Sequence, residues 1–341
     1  MHRLCTGMAV IGWMAVVACG TAAQTKEAGF KLYVTNSEGN NIHVIDLGTL
    51  QVTGEIKTGD HPHGAATSAD GRWLFTTVEG DNSLKVIDTA TDRIVKIIKL
   101  TERPNQCAAT PDGRFVGVPI RGGDSVDIVD VMQGKIVKNL PVKIPHNCYN
   151  AGSNDHIFVT SMGDHKVNWI DLKTLSYIAE IPVGGVPRPL AVTRDEKTLY
   201  CALSDLHGFV IANIPERRVV ENITLPQLPE GVTFPVPHTP THGLELTPDE
   251  RELWVTSCGM DMVYVFDTAT RKIVGKVGVG KGPNWVTFSP DGKYCCVSNV
   301  LSDDVSIIAV SKREEVARIK VGKMPKRLVV ARTPKGSAVK P

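Results

Sequence analysis

A short segment ending in an acidic residue recurs along this chain, as Val44-Ile45-Asp46, Leu84 to Asp88, Val126 to Asp130, Val167 to Asp171 and Val263 to Asp267. The spacing is about 42 residues, and Asn213 and Ala309 hold the same slot in two further copies, so that seven copies can be counted. A regular period of this length constrains the fold more than any other feature, because each copy must be one supersecondary unit that buries its apolar face against the next. One interval, Asn213 to Asp267, is longer than the others by about 12 residues.

Each unit reads as four short strands. The first follows a proline, the second is rich in β-branched and aromatic residues, the third ends in the recurring aspartate, and the fourth resembles Arg93 to Lys99. Ala69-Asp70-Gly71, Pro111-Asp112-Gly113 and Pro290-Asp291-Gly292 supply tight turns in which glycine takes the positive φ. Four-stranded units at this period predict an all-β chain, a seven-bladed β-propeller. The ends fit that prediction. Lys31 to Asn36 is a second strand with no first strand before it, and Lys326 to Ala331 is a first strand after which the chain runs out, at the turn Thr333-Pro334-Lys335-Gly336. The closing blade is therefore expected to be shared between N- and C-termini, leaving no exposed sheet edge. The 341 residues, 42% of them hydrophobic, are read as one domain over 24–341 with its core at about 30–333.

The segment Leu32-Tyr33-Val34-Thr35-Asn36, with the Pro-Asp-Gly turns and the Val-Ile-Asp elements, resembles the YVTN-family β-propellers over residues 30–333. That family includes lactonases and surface-layer components, and the d1-type haem domain is a similar propeller, so the resemblance implies the fold and leaves the function open.

Residues 1–23 read as a signal peptide: Arg3, an apolar run from Leu4 to Ala18, then small residues to Ala23, too short for a membrane span. Thr21-Ala22-Ala23 suits an ordinary signal peptidase, whereas Val16-Val17-Ala18-Cys19 resembles a lipobox that would leave a lipid anchor on Cys19. Either reading places the protein in the periplasm or outside the cell, with membrane contact only through that anchor. Six cysteines then remain, Cys107, Cys148, Cys201, Cys258, Cys295 and Cys296. They are expected as buried thiols, with Cys107 and Cys148 the first pair to test for a disulfide. Lys and Arg total 38 against 36 Asp and Glu, and aromatics are 6%, which gives no support to nucleic-acid binding.

Read off by period, the residue after the proline at six first strands, and its counterpart two past Pro240 in the remaining copy, comes from the same point of every blade. These residues are His63, His146 and His242, the amides Asn105 and Asn284, and the cations Arg188 and Lys326. They are expected to ring the channel mouth, above apolar residues such as Ala65, Cys107 and Leu328 two positions on. The null alternative is plain solvation of a channel. With a ring radius of roughly 7 Å, imidazoles about 6 Å long would let His63, His146 and His242 converge on one divalent metal ion.

Glu245, a carboxylate at a slot held elsewhere by Ala66, Ala108 or Val329, is read first as the acceptor of a structural hydrogen bond, and otherwise as an acid or base or an orienting partner for His242. Glu79 and Arg121 end second strands at the funnel rim, and Arg103 and Arg327 stand beside the ring, so the funnel should favour an anion. The extra residues of the long interval, 226–241, are proline-rich. They are expected to roof the funnel and bring Phe234 and His238 to it.

No GxGxxG, P-loop, GxSxG or CxxCH pattern is present. Three function classes stay open. The first is a binding propeller taking a small anionic or metal-associated ligand, or a protein partner. The second is a lactonase-like, metal-dependent hydrolase or lyase using the three histidines with Glu245 or Glu79. The third is a non-covalent d1-type haem protein with His63 or His146 as axial ligand.

Overall fold

The structure, a computed structural model, describes His2, residues 29–234 and residues 238–333. The expected signal segment with Cys19, the closing turn beyond Thr333, and Pro235 to Pro237 of the insertion lie outside the described residues.

Seven four-stranded antiparallel sheets are present. The closing blade is formed by Pro325–Arg332, Phe30–Asn36, Asn41–Asp46 and Gln51–Lys57, so the chain's last strand lies beside its first. Leu32 pairs with Val330 and Val34 with Leu328 in that seam. The third strands end at the recurring aspartates, as in Ser83–Asp88, and the fourth strand of the second blade is Arg93–Lys99. The aspartate has a local reason: Asp46 Oδ1 accepts from the backbone N–H of Gly48 at 2.8 Å and of Thr49 at 2.9 Å, which fixes the turn to the fourth strand.

Alternation along the inner strands fills the spaces between blades. Phe75, Leu84, Cys107 and Val116 form one such cluster, and Leu32, Val305, Ile307 and Leu328 another. All six cysteines are free and buried, so Cys107 and Cys148 stay unpaired, packing in separate inter-blade clusters.

The first strands are not regular. In the second, fourth and fifth blades an extra residue enters just after the proline: Pro62 faces Val78 but Ala65 already faces Thr76, with like shifts at Pro145/Cys148 and Pro187/Leu190. The seventh and closing blades shift at the same point. A bulge bends its strand and re-aims side chains, and these five lie at the inner rim of the ring.

A hydroxyl on the second strand holds the bulge wherever it can. Thr77 Oγ1 accepts from Gly64 N–H at 2.7 Å, Thr160 from Asn147 at 2.8 Å, Thr256 from Gly243 at 2.7 Å, Ser298 from Trp285 at 3.1 Å and Thr35 from Arg327 at 3.0 Å. Each bond satisfies a buried N–H left out of the ladder, in four of these blades by the bulge and in the sixth at Gly243, just ahead of the strand Leu244–Leu246. The fifth blade has Pro189 and Ala202 at these places: no N–H, and no hydroxyl.

Candidate functional site

All seven ring residues line one cavity of about 370 Å³ at the axis, together with Arg121, His238 and Arg327. Larger clefts of about 810 and 730 Å³ lie between turns of neighbouring blades, lined by Asp249, Lys312 and Arg313 or by Val95, Lys96 and Met132, and share no residue with the axial cavity. Of these three, the axial cavity is the one lined by a residue from every blade.

Its floor is Arg327, which strict alternation would have turned away from the axis. Because the bulge adds a residue after Pro325, both Lys326 and Arg327 reach the cavity. Arg327 is 1% exposed. Its guanidinium reaches Gln106 Oε1 at 3.2 Å, and Asn284 Oδ1 and Asn147 Oδ1 at 3.4 Å each. None of these acceptors is charged. Burial, with Arg188 adding to it, pushes the Arg327 pKa down to about 9. Arg188 and Lys326 are also pulled below their ordinary values, chiefly by burial; Arg121 adds to both and Glu79 works against the shift at Lys326.

The histidines are tied individually to their neighbours. His63 Nδ1–H donates to Glu79 Oε1, while Glu79 Oε2 lies 3.5 Å from Arg103 Nε. His146 Nδ1–H donates to Asn147 Oδ1 at 2.7 Å, and its Nε2 accepts from Arg188 Nη1 at 3.0 Å. His242 Nδ1–H donates to the Asn284 carbonyl at 3.0 Å. The rings of His146 and His242 meet edge-on, with centroids 5.7 Å apart.

Burial drives the His63 pKa down to about 3 against the pull of Glu79, with Lys326 and Arg327 adding to the drop. His146 and His242 are driven well below their ordinary value by burial and then by the nearby arginines. All three are therefore neutral at pH 7. Burial alone would raise Glu79, but the His63 hydrogen bond and charge, with Lys326 and Arg121, hold it at about 2.

The expected metal centre is not assembled. Among the described residues no three His, Cys, Asp or Glu side chains are grouped to hold an ion. Both His146 nitrogens are engaged, and His63 is turned onto Glu79, so the set His63, His146, His242 does not fit a shared metal in this arrangement. The same bonds leave His146 no free nitrogen for an axial bond to haem iron, whereas among the described residues His63 Nε2 has no hydrogen-bond partner.

Glu245 also falls elsewhere. It lines a separate cavity of about 230 Å³ with Tyr149, Arg194 and Thr247, beside the turns between first and second strands, and shares none with His242. The strand that carries Glu245 is Leu244–Leu246, and His242 lies ahead of its start, so the two side chains reach separate cavities. Tyr149 O–H donates to Glu245 Oε1 at 3.0 Å, and burial raises the carboxyl pKa to about 7 despite that bond.

The insertion reaches the site. His238 lines the cavity, held in the left-handed region with φ 65°. Behind it, Cys258 N–H donates to the Pro240 carbonyl at 2.9 Å, and Thr241 Oγ1 accepts from Gly208 N–H at 3.0 Å.

A YNCE-like β-propeller family model matches residues 99–241, and a model of the seven-bladed β-propeller lactonases matches residues 229–339. A curated relative, the 6-phosphogluconolactonase of Enterobacter sp. (strain 638), is 23% identical over 140 residues, which span 39% of this chain and 40% of that protein. Among solved structures, Kuenenia stuttgartiensis hydrazine synthase superposes with a TM-score of 0.71 at 21% identity, over 82% of this chain and 92% of that one. The dihydro-haem d1 dehydrogenase NirN gives 0.65 at 15% identity, over 85% and 63%. A functionally unknown protein from Desulfotomaculum acetoxidans DSM 771 gives 0.75 at 14% identity, over 89% and 99%. Identities this low establish shared architecture and nothing about chemistry. With its ring closed by its own termini, and with residues 99–241 and 229–339 matched by propeller family models, the chain is a seven-bladed β-propeller.

Proposed function

We propose that this is an exported propeller that binds a small anion, carrying at least two negative charges, in the axial cavity. The observation that carries the reading is Arg327: a guanidinium 1% exposed at the cavity floor, with only neutral acceptors around it. A buried charge without a counter-charge is expensive to keep, and an anionic ligand would supply what the protein does not. Arg121, Arg188 and Lys326 line the same space, no carboxylate lines it among the described residues, and Glu79 is committed to His63 and Arg103. One negative charge would leave most of this repulsion in place. The volume of about 370 Å³ suits a small molecule. Export rests on the apolar run from Leu4 to Ala18.

Titration calorimetry with phosphate, sulfate and succinate, at low and high salt, tests the reading. At least one of these dianions should bind with an affinity that falls steeply with salt, and the Arg121→Gln/Arg188→Gln variant should lose it. Absence of binding by all three at about 10 mM and low ionic strength would overturn the proposal.

One arrangement favours a second, hydrolytic reading: a neutral imidazole, oriented by a carboxylate, with its other nitrogen facing a cationic cavity. His63 Nε2 could take a proton from water as that water attacks an ester or lactone carbonyl, with Arg327 and Arg188 facing the oxyanion; the ring oxygen leaves as a hydroxyl on receiving the proton. The likeness to a 6-phosphogluconolactonase supports asking the question with that lactone. His63→Gln should abolish any turnover; hydrolysis unaffected by the change would remove His63 from the reaction.

A further inference from the structure

Proton placement around the cavity follows from the hydrogen bonds behind it. His63 spends its Nδ1 proton on Glu79, and His242 spends its own on the Asn284 carbonyl. A neutral imidazole has one N–H, so both Nε2 atoms carry a lone pair and act only as acceptors. Neither has a protein donor among the described residues, although both residues line the cavity. Asn105 stands beside them in the ring. It lines the same cavity, is 2% exposed, and its Oδ1 is buried with no hydrogen-bond partner.

Three acceptors therefore wait in a cavity whose charged side chains are all cations. Cationic donors would be repelled by Arg121, Arg188, Lys326 and Arg327, so the matching donors must be neutral. Water satisfies them in the free protein, and a ligand that displaces the water without replacing its O–H groups leaves buried acceptors dry.

We infer that His63, Asn105 and His242 are specificity-determining residues that select hydroxylated anions over bare ones, by accepting hydrogen bonds from ligand hydroxyl groups while the arginines hold the acid group. The inference rests on the anion reading of the same cavity and adds to it a demand for hydroxyl donors.

Two ligand sets of matched charge test it by calorimetry on the full chain: tartrate against succinate and 2,3-difluorosuccinate, and glycerol 3-phosphate against n-propyl phosphate. Fluorine matches the hydroxyl closely in size but donates nothing. In at least one set the hydroxylated member should bind about tenfold or more tightly than its bare partner, and Asn105→Leu should shrink that ratio. The wild-type comparison stands by itself if the variant folds poorly. Salt-sensitive binding with equal affinity across each set would overturn the inference and leave the anion reading intact. Binding by no member of either set would overturn both.

Discussion

The guanidinium carbon of Arg327 lies 4.1 Å from the ring centroid of Trp285, so the buried cation at the bottom of the funnel rests on an indole face. Both residues follow a first-strand proline by two positions, in the closing blade and its neighbour, and both owe their aim to the bulge there. An aromatic face attracts a cation but carries no net charge. The stack can therefore position Arg327 while leaving its charge free for a ligand, which an aspartate at the position of Trp285 would not.

Such a placement costs stability. Arg327→Met keeps much of the side-chain length, removes the uncompensated charge and relieves repulsion from Arg188 and Lys326. The ligand-free variant should be more stable than wild type by about 1–3 kcal/mol in urea unfolding, and should bind dianions at least tenfold more weakly. A variant that is less stable yet binds as before would make Arg327 a structural strut instead.

The funnel should also be acid-sensitive. His63 has a pKa near 3 when folded against an ordinary 6.5, and His146 and His242 are lowered too. Between those values the unfolded chain binds more protons than the folded one, so stability rises with pH and is lost as pH falls from about 6.5 towards 3. Each fully shifted histidine contributes up to about 1.4 kcal/mol per pH unit in that window. Urea midpoints from pH 7.5 to 4.5 measure the slope, and it should be shallower in His242→Gln. An identical slope in that variant would assign the acid sensitivity to other groups.

The repeat and the split blade were legible in the sequence because period and turn chemistry are local. The ring slot was legible too, since a proline stands directly before it in six blades and the period places it in the remaining one. Arg327 was not, because strand alternation assigns it outward and the bulge overrides alternation. A signal was present in the threonine of Tyr33-Val34-Thr35-Asn36 and its counterparts Thr77, Thr160, Thr256 and Ser298: hydroxyls at one repeated slot ask for a backbone partner, and a bulge supplies it. The metal expectation failed on something sequence does not carry, namely which neighbour each imidazole nitrogen prefers. Glu245 as an orienting partner for His242 rested on their nearness in sequence, whereas the two line separate cavities.

The insertion docks where blade six has no side chain. A Cβ on Gly259 would lie 2.7 Å from Phe234 Cε1 and would strike Val232 as well. Gly259→Leu should therefore lift residues 226–241 off the ring without disturbing the blades. Thermolysin cleavage within that segment should speed up at least tenfold while the global urea midpoint changes little. Unchanged cleavage would mean that the contacts of Thr241 and Pro240 alone hold the loop down.

Glu245 offers the opposite pH signature to the histidines, at the other end of the first strand. Its pKa is raised from 4.5 to about 7 by burial, so between these values the folded protein binds more protons than the unfolded chain. Stability from this group is fully present below about 4.5 and is lost as pH rises towards 7. Glutamine keeps an acceptor for the Tyr149 hydroxyl and removes the titration. Glu245→Gln should match wild type near pH 4.5 and exceed it at pH 8, by on the order of 1–2 kcal/mol. Together the two effects predict that wild-type stability climbs less steeply with pH than that of the variant between about 4.5 and 7, because Glu245 offsets part of the histidine slope. A variant less stable than wild type at pH 8 would show that an ionised Glu245 makes contacts worth more than its burial costs.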